Sequence, residues 1–483
     1  MKRWRATSAI SLRCRSTRCS PSAASGCAAS ESTAETDVTV TVAGFGPERV
    51  AGLLAAVDPG WREARIAVAL SGGLDSTVLL HTLASLAARL PLVLRALHVD
   101  HGLHPDSPAW AAACREACTA AGVGLEIIEL GLVPARGQSV EAQAREARYA
   151  ALAGRLAEGE RLVTAHHRDD QLETVLIQLL RGAGVAGLAA MPGRARLGRG
   201  WQLRPLLTVD RAELAEYAAR LGLAWQQDPM NEAVRFDRAY LRERVLPAIR
   251  ERWPAAPATV SRSARHLAEA SRLLAGLAAE DATRVLDDGR LSLAALAGLS
   301  GDRQVNLLRW WLQQEGLRPP PAAQLGAGLP GFFTARPDGA PALRWDEGEV
   351  RRYRGRLYAF GRLAPPPDQS PAGPALELGP GLGRFRLVAG HEGGLRPAAG
   401  AGATIRFRAG GEALQPHPGR PRKRLKDLFQ EAGVVPWMRD RLPLVYVGER
   451  LAAVGDLWID VEFAAGPGEP ALKPLWEERP RIF

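Results

Sequence analysis

Between Arg65 and Asp228 short apolar runs alternate with helical patterns, and no other feature of the chain narrows its fold as far. The runs "RIAVAL", "LVLRALHVD", "LEIIEL" and "RLVTAHH" precede "DSTVLLHTLASLAARL", "PAWAAACREACTAAG", "SVEAQAREARYAALAGRLA" and "DDQLETVLIQLLRG" respectively. Continuously apolar strands need cover on both faces, and intervening helices supply it. The N-terminal domain is therefore expected to be α/β, a doubly wound parallel sheet. In such sheets ligands bind in the crevice at the carboxyl ends of the strands.

Downstream, "SARHLAEASRLLAGLAA" and "DRQVNLLRWWLQQEG" carry 3.6-type spacing and predict a helical domain over 231–363, after a catalytic domain over 46–230. The stretch "LRPPPAAQLGAGLPG" looks irregular for a helical domain. A second Pro/Gly-rich stretch, "LAPPPDQSPAGPALELGPG", places a linker and first strand over 364–403. Short strand-like runs such as "TIRFR", "PLVYV" and "LAAVGDLWID", with one basic helix, make 404–483 a small α+β C-terminal domain. Residues 1–45 form a basic extension rich in Ser, Thr and Ala, with no acidic residue before Glu31, and are expected to be disordered. A transit peptide and an upstream extension from a misplaced start codon both have this composition; the apolar core of a secretory signal is missing.

No window approaches the roughly 18 apolar residues of a membrane span. All but four of the 62 basic residues are arginine and the net charge is +10. A polyanionic partner would explain this, and so would a GC-rich genome. The five cysteines, Cys14, Cys19, Cys27, Cys114 and Cys118, show no paired framework, so a reducing, cytoplasmic compartment is expected.

Ser71, Gly72 and Gly73 leave the first strand just before a helix. Consecutive amides in such a turn converge on one concavity, and the helix N-terminus favours an anion there. Two glycines alone would favour a plain bend, since glycine turns need no ligand. Asp75 adds to the phosphate reading, since a carboxylate beside a polyphosphate calls for a bridging Mg²⁺, although Asp75 could instead cap the helix. The string "TAHHRDDQLET" brings His166 and His167 to the same crevice edge, with Asp169, Asp170 and Glu173 in the first turns of the next helix. That acidic start is either a solvated face or a set of metal or amine ligands. Arg181, two turns on, is a candidate contact to phosphate or RNA. On "GQSVEAQAREARYAAL", Glu141, Arg145 and Arg148 form a charged stripe opposite Val140, Ala144 and Ala147, which spacing alone reads as an exposed face.

In order, "SGGLDS", "HVDHGL", Glu141 to Tyr149 and "TAHHRDDQLET" resemble the tRNA(Ile)-lysidine synthetases, a PP-loop ATP pyrophosphatase family. The resemblance continues through "RPLL", "WQQDPMN" and "RAYLRERVLP", and returns in "RKRLKDLFQEAGVVPWMRDRLPLVYVGERLAAVGDLW". It implies a Rossmann-like PP-loop fold and ATP-dependent adenylation of the wobble cytidine in the CAU anticodon of tRNA(Ile). Free L-lysine then displaces AMP, which changes the tRNA from Met to Ile identity. By the same resemblance Ser71, Gly72, Gly73, Leu74, Asp75 and Ser76 bind ATP, with Mg²⁺ on Asp75. His167, Asp170 and Glu173 serve the reacting centre, one carboxylate receiving the ammonium of lysine or its proton. Arg145, Arg148 and Arg181 join Arg420, Arg422, Lys423, Arg424 and Lys426, the cations of the expected basic helix, as tRNA contacts; Leu425, Leu428 and Phe429 turn inward. A homodimer is left open. The rival readings are a PP-loop tRNA thiolase, which would need a sulfur-carrying cysteine set, and a nucleotide-binding module without turnover.

Overall fold

The computed structural model describes residues 44–132, 140–226, 237–336, 339–366, 375–391, 393–400, 402–480 and 483, with side chains undescribed at 141 and 142. The expectation for the N-terminal extension falls outside these residues except at 44 and 45. One six-stranded sheet organises the N-terminal region in the order β3-β2-β1-β4-β6-β5. Its strands are β1 (Ile66–Ala69), β2 (Leu94–Asp100), β3 (Gly124–Glu129), β4 (Arg161–Val163), β5 (Arg194–Leu197) and β6 (Gly200–Leu203). Neighbours are parallel except β5 and β6, which pair antiparallel at one edge. That edge hairpin is not legible in the pattern because "RARLGRGWQL" is rich in arginine, and an edge strand tolerates charge where a central one does not.

Period-two alternation along β1 distributes its side chains between two cores. Ile66 and Val68 face the helices α1 (Pro47–Val57), α2 (Leu74–Ala87), α3 (Ser107–Ala121) and α7 (Arg211–Leu221), where Val78, Leu79 and Leu83 are fully buried. Ala67 faces the other way, toward Leu152 and Leu156 at the end of α4 (Val140–Arg155). Burial of each large aliphatic side chain is worth about 1.5–3 kcal/mol, so the doubly covered β1 anchors the layers. Because β2 lies on one side of β1 and β4 on the other, the strand order reverses between β1 and β4. Both motif loops leave the sheet at that switch point.

From β4 the chain enters α5 (Arg168–Leu180) and the short α6 (Val185–Leu188). After the sheet come α8 (Asp237–Tyr240), a π-helical turn (Leu241–Val245), α9 (Leu246–Arg252) and the 30-residue α10 (Ala256–Val285). At 1.5 Å per residue α10 is about 45 Å long. It packs on α5 and α6 through one part of its length and on the helix Gly301–Gln314 through another.

The remainder corrects four expectations. The segment 231–363 is not all helix: Leu286–Asp287, Arg290–Ser292, Ala342–Arg344, Gly348–Tyr353 and Arg356–Gly361 form a five-stranded antiparallel sheet. It packs against helices around Trp311, Leu325, Phe332 and Val350. Arg344, Arg351, Arg352 and Arg356 sit among their apolar residues without a regular alternation, and a helical reading of composition passes over them. The stretch expected to be irregular contains the helix Ala322–Thr334, with Pro321 at its N-cap and Pro330 inside it. Within 364–403, Ala375–Glu377 and Arg384–Gly390 pair with Ala471–Glu477 as a three-stranded sheet, so strands replace much of the expected linker. The expected basic helix is smaller than its cations: helix Leu425–Ala432 carries only Lys426 of the five. Lys423 and Arg424 lie in a two-residue strand paired with Ala413–Leu414, and Arg420 and Arg422 precede it. Leu425, Leu428 and Phe429 are buried as their spacing requires.

Candidate active site

The turn after β1 is built around Gly72. Its φ of +84° is strained for any other residue, and a Cβ there would stand 3.1 Å from Cys114 Sγ on α3. Gly73 is the N-cap of α2 and makes no side-chain cap, so the first-turn amides are left to the cleft. Ser76 braces this turn: its Oγ accepts from Ser71 N at 3.2 Å and donates to Gly73 O at 3.0 Å. Thr77 Oγ1 donates to the same carbonyl at 3.0 Å. The first-turn amides of α2 and Asp75 thus form the ligand-facing part of the loop, with Ser71 and Ser76 holding its shape.

Opposite, β4 delivers His166 and His167 to the start of α5. His167 caps that helix, its Nδ1 accepting from Asp169 N, while Asp170 Oδ2 accepts from His167 N at 3.0 Å. This cap directs Nε2 toward Asp75 Oδ2 at 3.6 Å and Asp170 Oδ2 at 3.5 Å. Burial opposes protonation of His167, but Asp75 and Asp170 outweigh it and hold its pKa above the ordinary value. His166 behaves oppositely: burial, with Arg204 and Arg145 nearby, pushes its pKa down to about 3 against the pull of Asp170. The pKa values of two adjacent histidines on one cleft are thus pushed in opposite directions.

The two loops enclose a cleft of about 600 Å³, lined by Ser71, Gly73, Asp75, His167, Asp170 and Glu173 among others. Its acidic wall is not bare. Arg242 Nε meets Glu173 Oε1 at 2.5 Å, and Arg242 Nη2 reaches Glu173 Oε2 at 3.0 Å and Asp170 Oδ1 at 3.2 Å. Arg250 pairs with Asp169 at 2.9 Å, and Arg238 donates to Thr174 Oγ1 at 3.2 Å. Burial pushes the Glu173 carboxyl above its ordinary pKa, with Arg242 opposing; burial does the same at Asp170, but His167, His166 and Arg242 outweigh it and hold Asp170 low. The sequence reading missed Arg242 and Arg250, and with them Arg211 and Trp225 on the cleft wall. The available signal was arginine at 238 and 242, an i,i+4 pair, with Arg250 further along in "RAYLRERVLPAIR".

Asp75 retains one open valence. Its Oδ1 is buried without a hydrogen-bond partner, and Arg211 Nε stands 3.8 Å from it. Among the described residues no group of three or more His, Cys, Asp or Glu could hold a metal ion. A single carboxylate with an orphaned oxygen fits Mg²⁺ that arrives on a polyphosphate, since this ion commonly takes one or two carboxylates and completes its shell with phosphate and water.

The expected tRNA contacts are dispersed. Arg148 lines the cleft, and Arg145 lies 5.1 Å from the ring centre of Tyr149 on α4. Arg181 is at the far end of α5, exposed and paired with Asp237 at 2.8 Å. Arg422 is held by the buried Asp460 at 2.6 Å and Lys423 by Glu431 at 2.8 Å, while Arg420, Arg424 and Lys426 are exposed. The expected stripe at Glu141 has its side chain outside the described residues.

A glycine turn and a capped acidic helix meeting at the switch point of a doubly wound sheet define an ATP-binding enzyme of the PP-loop class, and residues 49–249 match the PP-loop domain family. Residues 291–358 match the TilS substrate binding domain and 403–476 the TilS substrate C-terminal domain. The tRNA(Ile)-lysidine synthase of Alkalilimnicola ehrlichii is 44% identical over 430 residues, covering 87% of this chain and 95% of that one. Those of Methylococcus capsulatus and Pseudomonas aeruginosa are 41% and 44% identical, covering 85% and 84% of this chain and 95% and 92% of theirs. The chain belongs to the tRNA(Ile)-lysidine synthase family.

Proposed function

We propose that this protein uses ATP to activate the wobble cytidine of a CAU-anticodon tRNA(Ile) and then joins free L-lysine to it. The observation that carries the reading is the convergence of the PP-loop turn and the α5 acidic start on one cleft, in a chain of this family. In the first step the cytidine 2-oxo oxygen bonds to the α-phosphorus while the bond to the β-phosphate breaks, releasing pyrophosphate. The amides of Gly73 and the α2 first turn bind the departing phosphates. Asp75 Oδ1 would hold Mg²⁺, which would supply charge neutralisation on the polyphosphate. In the second step the ε-amine of lysine bonds to cytidine C2 and AMP leaves. Asp170 and Glu173 receive the ammonium, and the elevated pKa of Glu173 suits it to take the proton lost on attack. His167 fixes the α5 start and ties Asp75 to Asp170. Arg148 and the exposed Arg420, Arg424 and Lys426 contact the tRNA backbone.

The test is to incubate the protein with CAU-anticodon tRNA(Ile), ATP and labelled lysine, following label and AMP. One lysine incorporated per AMP supports the reading; AMP release without lysine incorporation, or incorporation of sulfur, sinks it. Among the described residues, burial pushes the Cys114 and Cys118 thiols up to about 12 and about 11, which disfavours sulfur chemistry at these two.

A further inference from the structure

The carboxylates that would receive the substrate amine are already filled by the protein's own cation. Glu173 is 1% exposed and Asp170 11% exposed at the side chain, and both are pinned by one guanidinium, that of Arg242. A buried carboxylate left without a cation costs several kcal/mol, so the free protein needs a resident counter-ion here. We infer that Arg242 occupies the seat of the lysine ammonium in the free protein and that lysine binds by displacing it. The inference rests on the reading of Asp170 and Glu173 as the amine receptor.

Three observations support an exchangeable Arg242. Substituting one monocation for another leaves the charge of the carboxylate pair compensated throughout, so neither carboxylate is stranded. The Arg242 side chain is 37% exposed, whereas its flanking Leu241 and Leu246 are buried, so the guanidinium can withdraw while the backbone stays anchored. Arg242 also arises from the π-helical turn Leu241–Val245, and such turns are frequent at functional sites. A place for the withdrawn guanidinium exists. Arg242 lines both the main cleft and an adjoining cavity of about 320 Å³, whose wall also carries Asp100 and His101. A cation released at that boundary stands next to the PP-loop through Ser71, which lines both spaces.

The test is direct lysine binding to the full-length protein by equilibrium dialysis with labelled lysine. Removing the tethered competitor in Arg242→Ala should tighten lysine binding about tenfold, the equivalent of roughly 1.4 kcal/mol. Arg242→Lys, which keeps a cation on a shorter reach and guards against misfolding of the alanine variant, should fall between. Methylguanidine added to Arg242→Ala should restore the weaker binding and compete with lysine. Unchanged, weaker or absent lysine binding in Arg242→Ala, or methylguanidine that does not compete, overturns the inference. Failure of the underlying reading is seen separately, as lysine binding that ignores Glu173→Gln and Asp170→Asn.

Discussion

At the scale of single residues, the site depends on groups whose chemistry is set by neighbours from other segments. Asp75 has an orphaned oxygen while the neighbouring hydroxyls of Ser76 and Thr77 both donate to the Gly73 carbonyl. Asp75→Asn should therefore lower ATP–pyrophosphate exchange by about 10²–10³-fold while tRNA binding stays near wild type. If filter binding shows tRNA affinity falling in parallel, the turn is structural. His167 offers a second measurement. Its folded pKa lies above the ordinary 6.5, so protonated His167 stabilises the fold below that pH, and the stabilisation is lost as pH rises through the folded pKa. Asp75→Asn should lower the His167 midpoint in an NMR titration and flatten that part of the stability–pH curve. Gly72 makes a purely steric prediction. Alanine at φ +84° costs about 1–2 kcal/mol before its contact with Cys114 Sγ is counted, and calorimetry should show a lower Tm.

Elements explain why cations of similar appearance in the sequence differ in part. Lys426, Arg424 and Arg420 are exposed around the start of helix Leu425–Ala432, whereas Arg422 is held by Asp460, whose carboxylate also accepts from Gln415 N and Glu462 N. Replacing Arg420, Arg424 and Lys426 with alanine should reduce the slope of log binding constant against log salt by about 2 to 3 without altering the urea midpoint. Arg422→Ala should do the reverse, costing about 1–3 kcal/mol of stability by removing a partner of a buried carboxylate, with little change in salt slope. Spacing revealed the inward face of this helix, because Leu425, Leu428 and Phe429 need only local periodicity. It did not reveal where the helix begins: five cations in seven residues look helical, but the backbone at Lys423 and Arg424 is drawn into pairing with Ala413 and Leu414.

Across the whole molecule, the catalytic sheet and the α8–α10 segment meet at α5, so the acidic wall of the cleft is completed from residues some seventy positions downstream. The metal is expected to enter with ATP and not to support the fold. Chelation with EDTA should abolish ATP–pyrophosphate exchange and leave the thermal unfolding midpoint unchanged; a midpoint that falls would reveal a structural metal. The sequence by itself determined the doubly wound sheet, the PP-loop turn and the acidic start of α5, since each follows from periodicity or from residue types a few positions apart. Only the tertiary structure decided that Arg242 and Arg250 neutralise that start, that Arg422 is committed to Asp460, and that a five-stranded sheet follows α10. These depend on which distant segments pack together, and a buried carboxylate shows its need for a cation only once the fold has removed water from around it.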